Sequence, residues 1–118
     1  MKNNLLKDKS YGFALRIIKL YRYLSTNKKE YVLSKQLLRS GTSIGANVEE
    51  SIGGQSEKDF VSKLSIAYKE ARETNYWIRL IRDSDLLTEK QTESLLFDCD
   101  ELIKIIGKIQ STIRKKNS

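Results

Sequence analysis

Phe60, Leu64, Ala67, Ala71, Thr74, Ile78 and Ile81 recur in alternating steps of four and three, the rhythm of a long helix packed along a bundle seam. That seam is bulky at its ends and small in its middle. In the preceding segment Gly41 and Gly45 lie four apart and so share one helical face, with Ser40 and Ser43 beside them. If the chain folds back at Gly53-Gly54, the Gly41/Gly45 region meets the Ala67/Ala71 region and the two backbones approach closely. Each glycine inside a helix costs about 1 kcal/mol relative to alanine. Close packing is the expected offset, and a kink or bulge at Gly41 is the alternative. A phosphate-binding loop fits worse, since no strand precedes these residues and no GK[ST] follows them.

Nothing in the remaining sequence interrupts this pattern. The 118 residues contain no proline, which predicts long unbroken helices in one domain. A first helix is expected from about Asp8 or Ser10, either of which can cap it, to about Thr26, with Phe13, Ile17, Leu20 and Leu24 as its apolar stripe. A polar turn at Asn27-Lys28-Lys29 precedes a second helix over 30–52, with Leu33, Leu37, Ser40, Ile44 and Val48 inward. Ser56, with Asp59 three residues on, resembles a capping box for a third helix that reaches about Arg82. Leu86-Leu87 should pack over the bundle end. Thr88 and Gln91 form a second capping box, and Leu95, Cys99, Leu102, Ile106, Ile109 and Ile113 line the fourth helix. Leu96, Ile103 and Ile105 widen that face enough to meet two neighbours, one of which can be another subunit. Short connections predict an all-α, up-down-up-down antiparallel four-helix bundle.

Much catalytic chemistry is excluded by residue type. Without histidine there is no imidazole base or imidazole metal ligand, and one cysteine cannot build a thiolate cage, so neither a metal nor a cofactor is expected. Cys99 falls on a core position and reads as a small buried hydrophobe; a lone thiol also fits a reducing cytoplasm. Glu70 and Glu73 are the only paired carboxylates with an acid–base or metal reading, and Arg39, Lys69 and Arg72 make a structural ion-pair network the stronger one. Apolar runs are too short to span a bilayer, so no membrane role is expected, and MKNNLLKDKS lacks the apolar core of a signal peptide.

The net charge of +7 is unevenly spread: residues 1–30 hold eight bases against two acids, a surplus of six. Lys104, Lys108, Arg114, Lys115 and Lys116 concentrate positive charge near the other terminus. In the antiparallel bundle Lys2, Lys7 and Lys9 approach Arg114, Lys115 and Lys116, and the two basic regions become one end of the molecule. Arg16, Lys19 and Arg22 lie opposite the apolar stripe of the first helix, either as a solvated face or as a polyanion-binding one. Tyr11, Tyr21, Tyr23 and Tyr31 nearby can fill cores or subunit contacts, or stack on nucleobases.

The run Gln36-Leu37-Leu38-Arg39-Ser40-Gly41-Thr42-Ser43-Ile44-Gly45-Ala46-Asn47-Val48-Glu49-Glu50 resembles the small proteins encoded in intervening sequences of bacterial 23S ribosomal RNA genes. Ser56-x-x-Asp59-Phe60, Lys63-Leu64-x-Ile66-Ala67-x-Lys69-Glu70-Ala71 and Glu73-Thr74-x-Tyr76-Trp77 extend the resemblance over nearly the whole chain. It implies a homopentamer of four-helix bundles with no catalytic residues. A related branch, the accessory proteins of diversity-generating retroelements, binds nucleic acid and a reverse transcriptase through basic surfaces. Two functional readings follow. One is an oligomeric module that binds RNA or a nucleoprotein through Arg16, Lys19, Arg22, Lys104, Lys108, Arg114, Lys115 and Lys116. The other is a structural or protein-interaction bundle whose charge maintains solubility. An enzymatic reading has only Glu70 and Glu73 behind it.

Overall fold

The computed structural model describes residues 2–118, with side chains from Leu5 onward. Four helices follow one another: α1 (Lys2–Thr26), α2 (Leu33–Ile52), α3 (Glu57–Asp83) and α4 (Glu89–Lys116). Each packs against its neighbours around a square, α1 on α2, α2 on α3, α3 on α4 and α4 back on α1, and among the described residues no diagonal pair of backbones approaches closely. The bundle is 48 Å long and 22 Å across.

Most of the predicted seams form the core. Leu20, Leu33, Phe60 and Ile109 are only partly buried against it, and Ile113, near the end of α4, is partly exposed outside it. Leu64, Ala67, Ala71, Thr74, Ile78 and Ile81 of α3 are buried, as are Leu37, Ser40, Ile44 and Val48 of α2 and Leu95, Cys99, Leu102 and Ile106 of α4. Leu87 closes one end of the bundle. Buried hydroxyls are satisfied locally or across a seam: Ser51 Oγ donates to the Val48 carbonyl, and Thr74 Oγ1 donates to Ser40 Oγ at 2.9 Å, linking α3 to α2. Among the described residues no buried side-chain polar atom lacks a partner.

The helix ends follow capping chemistry, with three departures from expectation. First, α1 begins at Lys2 rather than near Asp8 or Ser10. Leu6, seven residues before Phe13, is buried and extends the apolar stripe, while Ser10 is itself buried and donates to the Lys7 carbonyl inside the helix. Second, α2 begins at Leu33, because Lys29 adopts φ 57° and so breaks the helical path. The Glu30 carboxylate then caps α2 by accepting from the backbone N–H groups of Val32, Leu33 and Ser34. Partial burial opposes its ionisation, but these N–H bonds and the Ser34 side chain together hold its carboxyl below the ordinary range. Third, Ser56 caps α3 by accepting from the Asp59 N–H, without the reciprocal bond; aspartate is one methylene shorter than the residues that close a capping box. The box at Thr88 and Gln91 is complete.

Left-handed backbone occurs at Lys29 and Asp85, and at no glycine. Asp85 ends α3 in a Schellman arrangement, with the Leu86 N–H on the Ile81 carbonyl and the Asp85 N–H on the Arg82 carbonyl. Gly54 is instead a tight fit: a Cβ there would stand 3.1 Å from the Ser51 carbonyl oxygen and 3.2 Å from Asp59 Cβ.

The buried faces of Gly41 and Gly45 correct a further expectation. A Cβ on Gly41 would stand 2.7 Å from Ile17 Cγ1, and one on Gly45 would stand 3.3 Å from the Ser10 carbonyl oxygen. The glycine notch therefore receives α1, not the Ala67/Ala71 face of α3. Ala67 and Ala71 are fully buried, and the Ala71 carbonyl accepts from Cys99 Sγ of α4 at 3.3 Å. The glycine face of α2 is thus filled from α1, while Ala71 contributes a backbone carbonyl to a contact with α4. A helix turns about 100° per residue, so Ser40 reaches α3 while adjacent Gly41 meets α1.

Candidate functional site

The Glu70/Glu73 pair is occupied within the fold. Arg39 reaches across from α2, its Nη1 3.3 Å from Glu70 Oε1 and its Nη2 on Glu73, which also accepts from Trp77 Nε1 at 3.0 Å. Of the other cations expected there, Arg72 instead lies over the Tyr68 ring, 5.9 Å from its centre. Burial, reinforced by Asp100, pushes the Cys99 thiol up to about 12, so at neutral pH it is a protonated packing group and not a nucleophile. No group of three or more potential metal ligands occurs among the described residues, and no described helix is long and apolar enough to cross a membrane.

The basic side chains expected to bind nucleic acid lie on two helices, α1 and α4. Arg16 pairs with Asp98 of α4 at 2.5 Å and Lys9 with Glu101 at 3.0 Å, so both stitch α1 to α4. Lys19 and Arg22 continue along α1, exposed and without an ion-pair partner among the described residues. On α4, Lys104, Lys108, Arg114 and Lys115 are likewise exposed and unpaired among the described residues. Lys116 reaches Glu57 at 2.9 Å. Hydrogen bonds from Lys116 and Asn117 hold the Glu57 carboxyl below its usual range.

These positions do not merge into one basic end. Arg16 stands level with Asp98, sixteen residues before Arg114 on α4, an axial distance of about 24 Å. Lys19 and Arg22 lie farther still from the α4 C-terminus. Lys9 is likewise held at Glu101, thirteen residues before Arg114; the basic run 16–22 lies in the second half of α1 and points away from the α4 C-terminus. The Lys2 side chain lies outside the described residues.

Two apolar grooves accompany the charge. One, between α1 and α2, encloses about 320 Å³ and is lined by Tyr11, Ala14, Leu15, Ile18 and Ala46 among others. Tyr11 is 64% exposed, and Tyr23 and Tyr31 are exposed as well, so these tyrosines do not fill the core. The other lies between α1 and α4, with α3 at its base, on the N-terminal side of Lys9 in α1 and the C-terminal side of Glu101 in α4. It encloses about 490 Å³, with Phe60 of α3, Leu5 of α1, and Ile105, Ile109 and Ile113 of α4 around it and Lys108 at its edge. The extra apolar width of α4 is partly used inside the protomer, since Leu96, Ile103 and Ile105 pack on the core. Sequence reasoning missed this fissure. Its signal was the straight step of four through Ile105, Ile109 and Ile113, which drifts off a four-three seam.

A family model described as 23S rRNA-intervening sequence protein matches residues 2–108. Among solved structures, the chain is similar to a protein of unknown function from the S23 ribosomal protein family of Bacteroides thetaiotaomicron. The two are 50% identical, with a TM-score of 0.92 over 94% of this chain and 99% of that one. No curated protein matches the chain.

Proposed function

This chain belongs to the 23S rRNA-intervening sequence protein family, and from that premise we propose that it is a non-enzymatic, cytoplasmic, oligomeric bundle that binds RNA. It acts alone or with a nucleic-acid-processing protein such as a reverse transcriptase. The observation that carries this reading is the set of outward cations without carboxylate partners among the described residues: Lys19 and Arg22 on α1, and Lys104, Lys108, Arg114 and Lys115 on α4. From Ile103 to Ser118 the chain has no acidic residue, and Glu57 of α3 offsets only Lys116 of the five cations there, so positive potential dominates that stretch. A non-enzymatic role is supported by the engagement of Glu70 and Glu73 with Arg39 and by the protonated state of Cys99.

The test is fluorescence anisotropy with labelled RNA across a KCl series. Each phosphate neutralised on a single strand contributes a slope of roughly −0.7 in log affinity against log salt. Substituting Lys104, Lys108, Arg114 and Lys115 with glutamine should flatten that slope. Equal slopes for variant and wild type would favour a structural or protein-interaction bundle without a nucleic-acid role, the reading that the two apolar grooves support.

Self-assembly belongs to the same proposal. Tyr11 and Leu15 stand exposed along the α1–α2 groove, an apolar surface suited to a second copy. The family resemblance supplies the number five, and repetition of the basic surface in a pentamer raises avidity. Native mass spectrometry showing only the 13.6 kDa protomer would overturn this.

A further inference from the structure

We infer that the fissure between α1 and α4 takes an unpaired base of single-stranded RNA while the lysines along its edge hold the flanking phosphates. This rests on the RNA-binding reading and adds where the strand lies and which form of RNA is selected. The fissure contains an aromatic ring, half-buried Phe60, and has walls of Leu5, Ile109 and Ile113. Its volume of about 490 Å³ falls within the range of roughly 300–1,000 Å³ typical of small-ligand pockets. A base has two apolar faces that stack on aromatic side chains whatever its sequence.

The edge of the fissure supplies complementary charge. Lys108 lines it, Lys104 stands one turn before on the same strip of α4, and Lys115 two turns after. From Lys104 to Lys115 the strip runs about 16 Å, a length over which one strand can set several phosphates. Glu101, the acid nearest this strip on α4, is held by Lys9. The apolar interior and cationic edge together match a strand whose bases are free to turn inward. Duplex RNA keeps its bases paired and presents chiefly phosphates and 2′-hydroxyls, so it can use the lysines but not the fissure.

The experiment compares a fluorescein-labelled short oligouridylate with the same strand annealed to oligoadenylate, each titrated with the full chain across a KCl series. The single strand should bind about tenfold more tightly than the duplex. Leu5 lines the fissure exposed and Ile113 half-buried, both outside the buried core, so Leu5→Gln/Ile113→Gln should leave the fold intact, with circular dichroism as the check. That neutral pair should weaken single-strand binding about tenfold without altering the salt slope, because no charge changes. Lys104→Gln/Lys108→Gln should instead reduce the slope by about 1.4. Equal affinity for strand and duplex, or wild-type binding by the Leu5/Ile113 variant, overturns this inference and leaves the broader RNA reading standing. A change in oligomeric state caused by that variant would make the fissure a subunit contact and equally overturn it. Failure of wild type to bind either RNA at low salt overturns both.

Discussion

Replacing Gly41 with alanine tests the glycine notch at single-atom resolution. The new methyl would lie 2.7 Å from Ile17 Cγ1 and 2.8 Å from Ile17 Cγ2. Both carbons branch directly from Cβ of a fully buried isoleucine, whose χ1 is tightly restricted in a helix, so neither can swing aside. Overpacking of this kind costs about 1–3 kcal/mol, while the gain in helix propensity is about 1 kcal/mol. The net expectation is a loss of about 0–2 kcal/mol. Gly12 is the control: it is exposed inside α1 with nothing within 4 Å of its would-be Cβ, so Gly12→Ala should stabilise by about 1 kcal/mol. The two variants therefore differ by about 1–3 kcal/mol, and each kcal/mol moves Tm by roughly 4 °C in a domain of this size. Gly45→Ala should fall between them, since its nearest neighbour is the Ser10 carbonyl oxygen at 3.3 Å.

Thermal unfolding followed by circular dichroism, at one protein concentration because assembly makes Tm concentration-dependent, measures all three. A second background identifies the cause. Ile17→Val retains both carbons on Cβ, so Gly41→Ala should remain destabilising there; Ile17→Ala removes both, and Gly41→Ala should then become stabilising. A rise in Tm for Gly41→Ala equal to that for Gly12→Ala would refute the reasoning, as would a penalty that survives in the Ile17→Ala background.

Two further outcomes follow from the titratable groups. Because folding depresses the Glu30 carboxyl, its contribution is fully present above the unfolded value of about 4.5 and is lost as pH falls through the lower folded value; Glu30→Gln should make the acid limb of stability shallower, as urea unfolding across that range will show. The native Cys99 thiol, pushed up to about 12, should resist iodoacetamide at mildly alkaline pH and react readily in denaturant, as mass spectrometry will read.

Helix type and most of each inward face were legible from the sequence because both are local. Steps of four and three select one side of a helix, and Ser56, Thr88 and Gln91 announce two of the starts through chemistry confined to one turn. The α1 start was missed because Leu6 looks like part of a polar terminus until its register with Phe13 is used. Family membership was legible too, since its signature is a string of residue types. Tertiary structure alone decided which neighbour each inward residue meets. In a square bundle two neighbours stand about a quarter-turn apart, close to the 100° between successive residues, so periodicity that marks Ser40 and Gly41 as buried cannot assign one to Thr74 and the other to Ile17. The basic candidates were hidden in the same way. Composition counts charges, whereas partnership depends on axial level: Asp98 stands beside Arg16 and Glu57 beside Lys116, leaving Lys104, Lys108 and Lys115 in the open near a fissure that residues distant in sequence, from α1, α3 and α4, build together.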